Sequence, residues 1–470
     1  MKELTILTTP RESWTPHTYQ IRGMSLMLQQ AALGLSLDPG MGKTSTWLGA
    51  FVALKEAGYV DKMLVICPIK PMYGTWPLQI DKYEDFAHLT WTFLHGPHKE
   101  YNLRVEADIY LINPEGVQWL CETIDPSKLA DVLCVDESTK FKNWSSKRLK
   151  ALKPFLPRFQ RKWIGTGNIS PGGLVDLFAQ TYILDCGHAL GRGITKFRER
   201  WFDADPWNKY AFTPKPEAFQ EITEAIAPLY LQLNAEDHLV LPELQVTDVK
   251  VSLPPSVMRT YKEVEQEFFA ELPDLDMILE APTNAAAGVK CRQIANGAVY
   301  TGDGRGIPDY VELHDEKISA LAELLEEIGE HPTIIVYEFR HDKYRIASQL
   351  PGIPDITGQS GGSLTHIQDQ WNAGKIPRLL MQSSSAHGLN IQESGYHMIW
   401  FGLTWNWEDY KQVVDRLRRQ GQRATMVMVY RLLAEGTLDI EVANRLYLKQ
   451  QTEARIKNEI GRLREINFGR

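Results

Sequence analysis

Ser36-Leu37-Asp38-Pro39-Gly40-Met41-Gly42-Lys43-Thr44 carries the residue types that hold a triphosphate. Pro39 and Gly40 bend the chain, and Gly42, lacking a Cβ, lets the backbone come close to an anion. N–H groups left free at the start of a following helix point at such an anion. Lys43 would reach the β- and γ-phosphates of a nucleotide, and the Thr44 hydroxyl would hold Mg2+. Such a loop needs a strand before it and a helix after it. Residues 32–35 are apolar and residues 45–57 have helical patterning, as required. The strict pattern has a glycine where Leu37 stands, so a Gly/Pro turn capping a helix is the competing reading.

Asp136-Glu137 follows the apolar run 132–135. Asp136 there can hold the metal opposite Thr44, and Glu137 can orient and deprotonate an attacking water. The competing reading is a helix cap. Arg416 and Arg419 lie in the stretch 412–422, which reads as a helix start followed by a glycine stop. Their spacing of three predicts both guanidiniums on one helical face, which Gln412 shares. Arginines brought onto a γ-phosphate neutralise charge in the transition state. A solvated basic face is the competing reading.

Strands must position these groups. Apolar runs at 63–66, 109–112, 132–135 and 163–164 alternate with helical patterns, predicting a parallel sheet covered by helices. Ligands of such sheets bind at the carboxyl ends of the strands, where the loop and the acidic pair both fall. Residues 187–241 are aromatic and charged, with Phe197, Trp201, Phe202, Trp207, Tyr210 and Phe212 and helical stretches. A strand-like run at 245–253 precedes Pro254-Pro255, and 256–272 reads as a helix capped by Ser256. Residues 303–306 read as a loop or hairpin tip. A helix at 318–328 and strands at 333–337, 378–382, 398–401 and 425–430 predict a second α/β lobe. The expected organisation is a nucleotide-binding lobe over 1–186, helical insertions over 187–310, a second lobe over 311–433 and a C-terminal helical brace over 434–470. A solvated terminal helix competes with the brace.

The 470 residues suffice for two or three domains. A formal charge of −8 excludes a general positive field, so any nucleic-acid site must be a local groove. Five scattered cysteines without CxxC spacing argue against a zinc module or a disulfide framework. No run approaches the length of a membrane span, and a soluble cytoplasmic protein of bacterial or viral setting, monomeric and without membrane contact, is expected.

Taken in order, these motifs resemble those of the SWI/SNF-type ATPases, helicase-like DNA translocases of superfamily 2. Tyr19-Gln20-Ile21-Arg22-Gly23 resembles the family's adenine-reading motif, which makes Gln20 a base-contacting residue. Cys67-Pro68, residues 69–76 and Asn113-Pro114-Glu115 resemble segments that meet the nucleic-acid backbone. Residues 136–143 look like the acidic motif with its trailing Lys-Asn, and Gly165-Thr166-Gly167 like the motif coupling hydrolysis to movement. Residues 290–296 are similar to a helix signature of the second insertion. Residues 384–392, with Gly388 at the nucleotide, look like the fifth motif, and Trp405-Asn406 with 412–422 like the sixth. Gly436-Thr437-Leu438-Asp439 resembles the closing segment.

The resemblance implies two RecA-like lobes with parallel sheets flanked by helices, helical insertions between them and a C-terminal brace helix. ATP and Mg2+ are the implied cofactors. Glu137, Lys43, Arg416 and Arg419 are catalytic on this reading. Gln20, Gly40, Gly42, Lys43, Thr44, Gly388 and Gln412 hold nucleotide, and Thr44 and Asp136 hold metal. The implied partner is DNA, as a duplex bound without sequence preference, at forks or branched junctions among other places. Lys70, Lys140, Lys142 and Lys290 are candidate backbone contacts. Asn168 and Trp407 stand where the family usually has proline, Arg418 and Gln420 depart from the common residues, and 231–242 lacks the usual basic character. A strand-separating DNA or RNA helicase, with 197–212 as its wedge, and a nucleotide-gated DNA-binding module acting through a protein partner are the rival readings.

Overall fold

The computed structural model describes residues 11–205, 212–272, 277–281, 283–301, 310–385 and 389–468. The chain divides into two compact units, Met1–His238 with Gln451–Arg470, and Leu239–Gln450. Each is built on a parallel sheet flanked by helices, the α/β class expected.

The strands of the first unit are β1 (Ala32–Leu37), β2 (Met63–Ile66), β3 (Trp91–Phe93), β4 (Ile109–Ile112), β5 (Val132–Asp136), β6 (Arg161–Thr166), β7 (Phe202–Ala204), β8 (Phe212–Pro214) and β9 (Tyr230–Leu233). Seven form one sheet in the order β3-β4-β2-β5-β6-β1-β9, every pairing parallel. All four residues of β2 and of β4 are buried, so these central strands carry unbroken apolar runs. Ser36 pairs with Thr166, and Asp136 with Gly165. The carboxyl ends of β1 and β5 therefore lie on either side of the end of β6, which brings the phosphate loop and the acidic pair together.

The edge strands β3 and β9 are findings that the apolar runs did not announce. β9 emerges from a segment expected to be helical, because Tyr230–Leu233 is a run of four buried residues beside β1. The aromatic residues preceding it are core. Phe197 and Trp201, on helix Ile194–Trp201, and Phe202 are each under 5 % exposed. Trp207 and Tyr210 lie outside the described residues.

The second unit holds β10 (Glu243–Val251), β11 (Phe269–Leu272), β12 (Met277–Glu280), β13 (Ala298–Tyr300), β14 (Tyr310–Glu312), β15 (Thr333–Tyr337), β16 (Arg378–Gln382), β17 (His397–Trp400) and β18 (Met426–Ala434). Its sheet runs β10-β18-β17-β15-β16, all parallel. Alternation along β15 feeds two cores. Ile334 and Val336 pack with Trp371 and Trp400, while Ile335 and Tyr337 pack with Leu321 and Leu325 of helix Glu316–Ile328. β11 with β12 and β13 with β14 are antiparallel pairs. The expected tip at 303–306 lies outside the described residues.

One expected helix is shorter than its pattern. It spans Pro255–Glu267 with Pro254 as N-cap, so Ser256 sits inside the first turn. Pro255 fits there because it lacks the N–H that the first turn leaves unpaired anyway. Phe268, at φ 64°, ends the helix, and 269–272 becomes β11. The last helix, Leu438–Phe468, starts in the second unit and ends in the first. No described helix is long and apolar enough to cross a membrane.

Candidate active site

β1 ends in the glycine turn, and helix Lys43–Glu56 begins at Lys43 with Gly42 as its N-cap. Gly40 and Gly42 have φ of 88° and 69°, in the left-handed region that disfavours side chains. A Cβ on Gly42 would also meet Gln20 Nε2 at 2.5 Å. Gln20 is buried, and its amide grips the loop from outside. Nε2 donates to Gly42 O (3.1 Å) and Ser45 Oγ (3.2 Å), and Oε1 accepts from His17 N (2.9 Å). Gln20 is thus at the loop, with both ends of its amide bonded to protein. Lys43 Nζ folds back over the turn to Leu37 O (2.8 Å) and Asp38 O (3.5 Å). Burial pulls its ammonium below the ordinary range, with Glu137, Asp136 and Asp38 opposing. Thr44 is buried in the first turn of the helix.

Asp136 closes β5. Burial raises its carboxyl above the usual carboxylate range although the Lys43 charge and a hydrogen bond from Trp76 Nε1 (3.2 Å) oppose the shift. Glu137 adopts a left-handed backbone, φ 65°, strained for a residue with a Cβ. The turn aims its carboxylate toward β6, where Oε1 lies 3.0 Å from Thr166 Oγ1 and 3.2 Å from Thr139 Oγ1. The N–H of Asn168 donates to Thr166 Oγ1 at 3.0 Å, a bond that proline at this position could not make. Thr166 therefore stands between Glu137 and the segment after β6. Thr166 and Trp76 fall inside segments singled out by the resemblance, but only the fold shows that they bond to Glu137 and Asp136.

These residues suit ATP with Mg2+. The loop offers a cradle that a Cβ would fill, backed by the start of a 14-residue helix. The carboxylate of Asp136 is desolvated beyond what Lys43 offsets, which suits a cation beside it. Among the described residues no group of three or more His, Cys, Asp or Glu could hold a metal alone. Mg2+ instead takes one or two protein oxygens together with the phosphates.

In the second unit, Gln412 and Arg416 lie on helix Trp407–Leu417, capped by Asn406, whose side chain accepts from Glu408 N. This stretch is a helix end, not a helix start. Arg419 lies beyond it, so the two arginines do not share a helical face. Arg418 leaves the helix at ψ 71° and donates Nε to Pro242 O (3.1 Å), and Gly421 turns the chain at φ 95°. Arg416 NH1 donates to Leu389 O at 3.3 Å. Burial pulls Arg419 below its ordinary value, with Asp415 opposing. Gln412 Oε1 is buried without a hydrogen-bond partner among the described residues. Gly388 lies outside the described residues. Of the candidate backbone-contacting lysines, Lys70 and Lys140 are exposed, Lys142 lies 3.9 Å from Asp176, and Lys290 donates to Tyr300 O at 3.2 Å.

Residues 19–270, more than half of the chain, match the SNF2-related domain. The chain belongs to the SNF2-related family. It is an ATP-hydrolysing, helicase-like enzyme of the SWI/SNF type. It is 30 % identical over 453 residues to putative protein p41 of Acyrthosiphon pisum secondary endosymbiont phage 1, covering 92 % of this chain and 96 % of that one. Identity is 21 % to the putative ATP-dependent helicase/translocase YwqA of Bacillus subtilis and 22 % to the DNA annealing helicase and endonuclease ZRANB3 of Bos taurus. These matches take in 94 % and 92 % of this chain but 49 % and 40 % of those proteins, so it spans half or less of either. The SWI2/SNF2 ATPase core of Sulfolobus solfataricus, solved with double-stranded DNA, aligns over 98 % of both chains at 19 % identity with a TM-score of 0.43.

Proposed function

We propose that this SNF2-family enzyme is a translocase on double-stranded DNA, driven by ATP hydrolysis and acting on forks or branched junctions as well as plain duplex. In this reading residues 1–186 and 311–433 are its lobes, 187–310 its insertions and 434–470 its brace. The observation that carries it is the convergence, at one sheet end, of Lys43 on replaceable carbonyl bonds, Asp136 and Glu137. Lys43 and the loop N–H groups bind the phosphates. Glu137, held by Thr166, orients the attacking water and takes its proton. Arg416 and Arg419 neutralise charge on the γ-phosphate, and Gln412 and Gly388 complete the nucleotide contacts. Gln20 fixes the loop and meets the base. Mg2+, held by Thr44 and Asp136, would neutralise phosphate charge.

DNA contacts through exposed Lys70 and Lys140 would be sequence-tolerant and salt-sensitive. Movement without strand separation is favoured by the burial of Phe197, Trp201 and Phe202, since a wedge needs exposed rings. The phage relative fits a bacterial or viral setting. The test compares ATP turnover with duplex DNA, single-stranded DNA and RNA, and triplex displacement with duplex unwinding. Duplex stimulation with triplex displacement is expected. Unwinding without triplex displacement overturns the translocase reading in favour of a helicase, and nucleotide-dependent DNA binding without stimulated turnover in favour of a gated binding module.

A further inference from the structure

We propose that Lys457, on the last helix, is a positioning residue for ATP hydrolysis: its ammonium clasps the phosphate loop, at Asp38, to the segment after β6, at Gly167. The inference rests on the assignment of this sheet end as the ATP site.

The helix carrying Lys457 is anchored in the first unit on both sides of it. Ile456 and Ile460 are fully buried in that unit's core, and Arg464 NH1 donates to Pro228 O (2.9 Å) and Tyr230 O (2.8 Å). Lys457 itself is 4 % exposed. Its three donors meet three acceptors: Asp38 Oδ1 at 2.8 Å, Gly167 O at 2.8 Å and Glu453 Oε1 at 3.1 Å. A lysine so buried needs such partners, and its carboxylates need it in turn.

Both clasped ends lead into the site. Asp38 Oδ2 accepts from Ala235 N at 3.0 Å, so its carboxylate is fixed through both oxygens. Its own carbonyl lies 3.5 Å from Lys43 Nζ. Gly167 sits between Thr166, the partner of Glu137, and Asn168, whose N–H holds Thr166. A Cβ on Gly167 would meet Pro39 Cδ at 3.0 Å, so the two segments already touch where Lys457 ties them. One ammonium thus fixes the lysine side of the site relative to its glutamate side. Near-attack geometry tolerates little displacement between such groups.

The experiment measures steady-state ATP turnover of the full chain with saturating duplex DNA, with active sites counted by stoichiometric binding of a fluorescent ATP analogue. Lys457→Met is expected to lower kcat per site by about tenfold or more, with KM for ATP changed by less than about threefold. Lys457→Arg, keeping charge and donors, should recover kcat to within about threefold. A purely structural lysine would lower the melting temperature and the number of active sites, not kcat per site. Where Lys457→Met does not fold, Asp38→Asn, which keeps shape and the Ala235 bond, is expected to lower kcat in the same way. Wild-type kcat per site in the folded Met variant, or in Asp38→Asn, overturns the clasp. A wild-type chain without turnover overturns the ATP-site assignment instead, and the clasp with it.

Discussion

Lys43 in the first unit and Lys317 in the second are both lysines set among carboxylates, and they are held in opposite ways. Lys317 is fully buried and closed. Its three donors go to Asn296 Oδ1 (2.8 Å), Phe401 O (3.2 Å) and Asp439 Oδ2 (2.6 Å). Asn296 passes the network on to Asp342 and accepts from Arg345 through its own carbonyl. Lys43 instead rests on two backbone carbonyls, one of them at 3.5 Å, while Asp136 and Glu137 act on its charge. A carbonyl is a weaker partner for an ammonium than an anion is, so an incoming phosphate can displace it. An ammonium closed by three acceptors, one of them a carboxylate, is tied into its surroundings; one resting only on backbone carbonyls at a glycine turn can exchange them for an anion.

Substitutions can break that contrast. Lys43→Ala and Glu137→Gln are expected to take DNA-stimulated turnover to background, a loss of about 10⁴, while the melting curve stays as in wild type. Near-normal hydrolysis in either removes that residue from its role. Arg419→Ala should lower kcat by about 10³ and leave ATP affinity within about threefold, as measured by titration with a fluorescent analogue. An affinity loss matching the kcat loss would make Arg419 a ground-state ligand instead. Lys317→Met should do the reverse of Lys43→Ala. It leaves Asp439 buried and unpaired and destabilises the second unit by about 3–5 kcal/mol in urea unfolding. A smaller loss than about 1 kcal/mol would show that the network is not closed by charge.

A further effect is in pH. Burial pushes His314 down to about 4 from 6.5, with Ile294 O opposing and Arg345 and Lys317 adding to the fall; His397 is likewise pushed to about 4, by burial and His331. Between those values the unfolded chain binds protons that the folded chain does not. Stability of the second unit is therefore full above about pH 6.5 and declines as pH falls toward about 4. Urea midpoints at neutral and mildly acidic pH measure this, and His314→Gln should flatten the decline. A pH-independent wild-type midpoint refutes it.

Much of the fold was legible because parallel strands buried on both faces leave unbroken apolar runs. Strands at 109–112, 333–337 and 378–382 stand where those runs are. β3 and β9 escaped because edge strands three and four residues long differ little from buried coil, and Tyr230–Leu233 follows a helical, aromatic stretch. The helix over 255–267 was overextended because nothing local marks Phe268 for a left-handed turn. The arginine stretch was mistaken for a helix start because its true cap, Asn406, lies upstream of the charged run. The phosphate loop and acidic pair were legible as types in order; that Glu137 reaches Thr166 was not, since the pair is 29 positions apart.

By itself the sequence determined which groups could meet a triphosphate, since Gly42, Lys43, Thr44 and Asp136-Glu137 announce themselves by kind and by their place after apolar runs. Tertiary structure alone decided what holds them. Lys457 stands 419 positions from Asp38 and 290 from Gly167, in a charged helix that gives it no distinguishing neighbour. Periodicity reports which face of a helix is apolar; it cannot report which distant carboxylate a buried ammonium on that helix will find, because packing alone brings the two together.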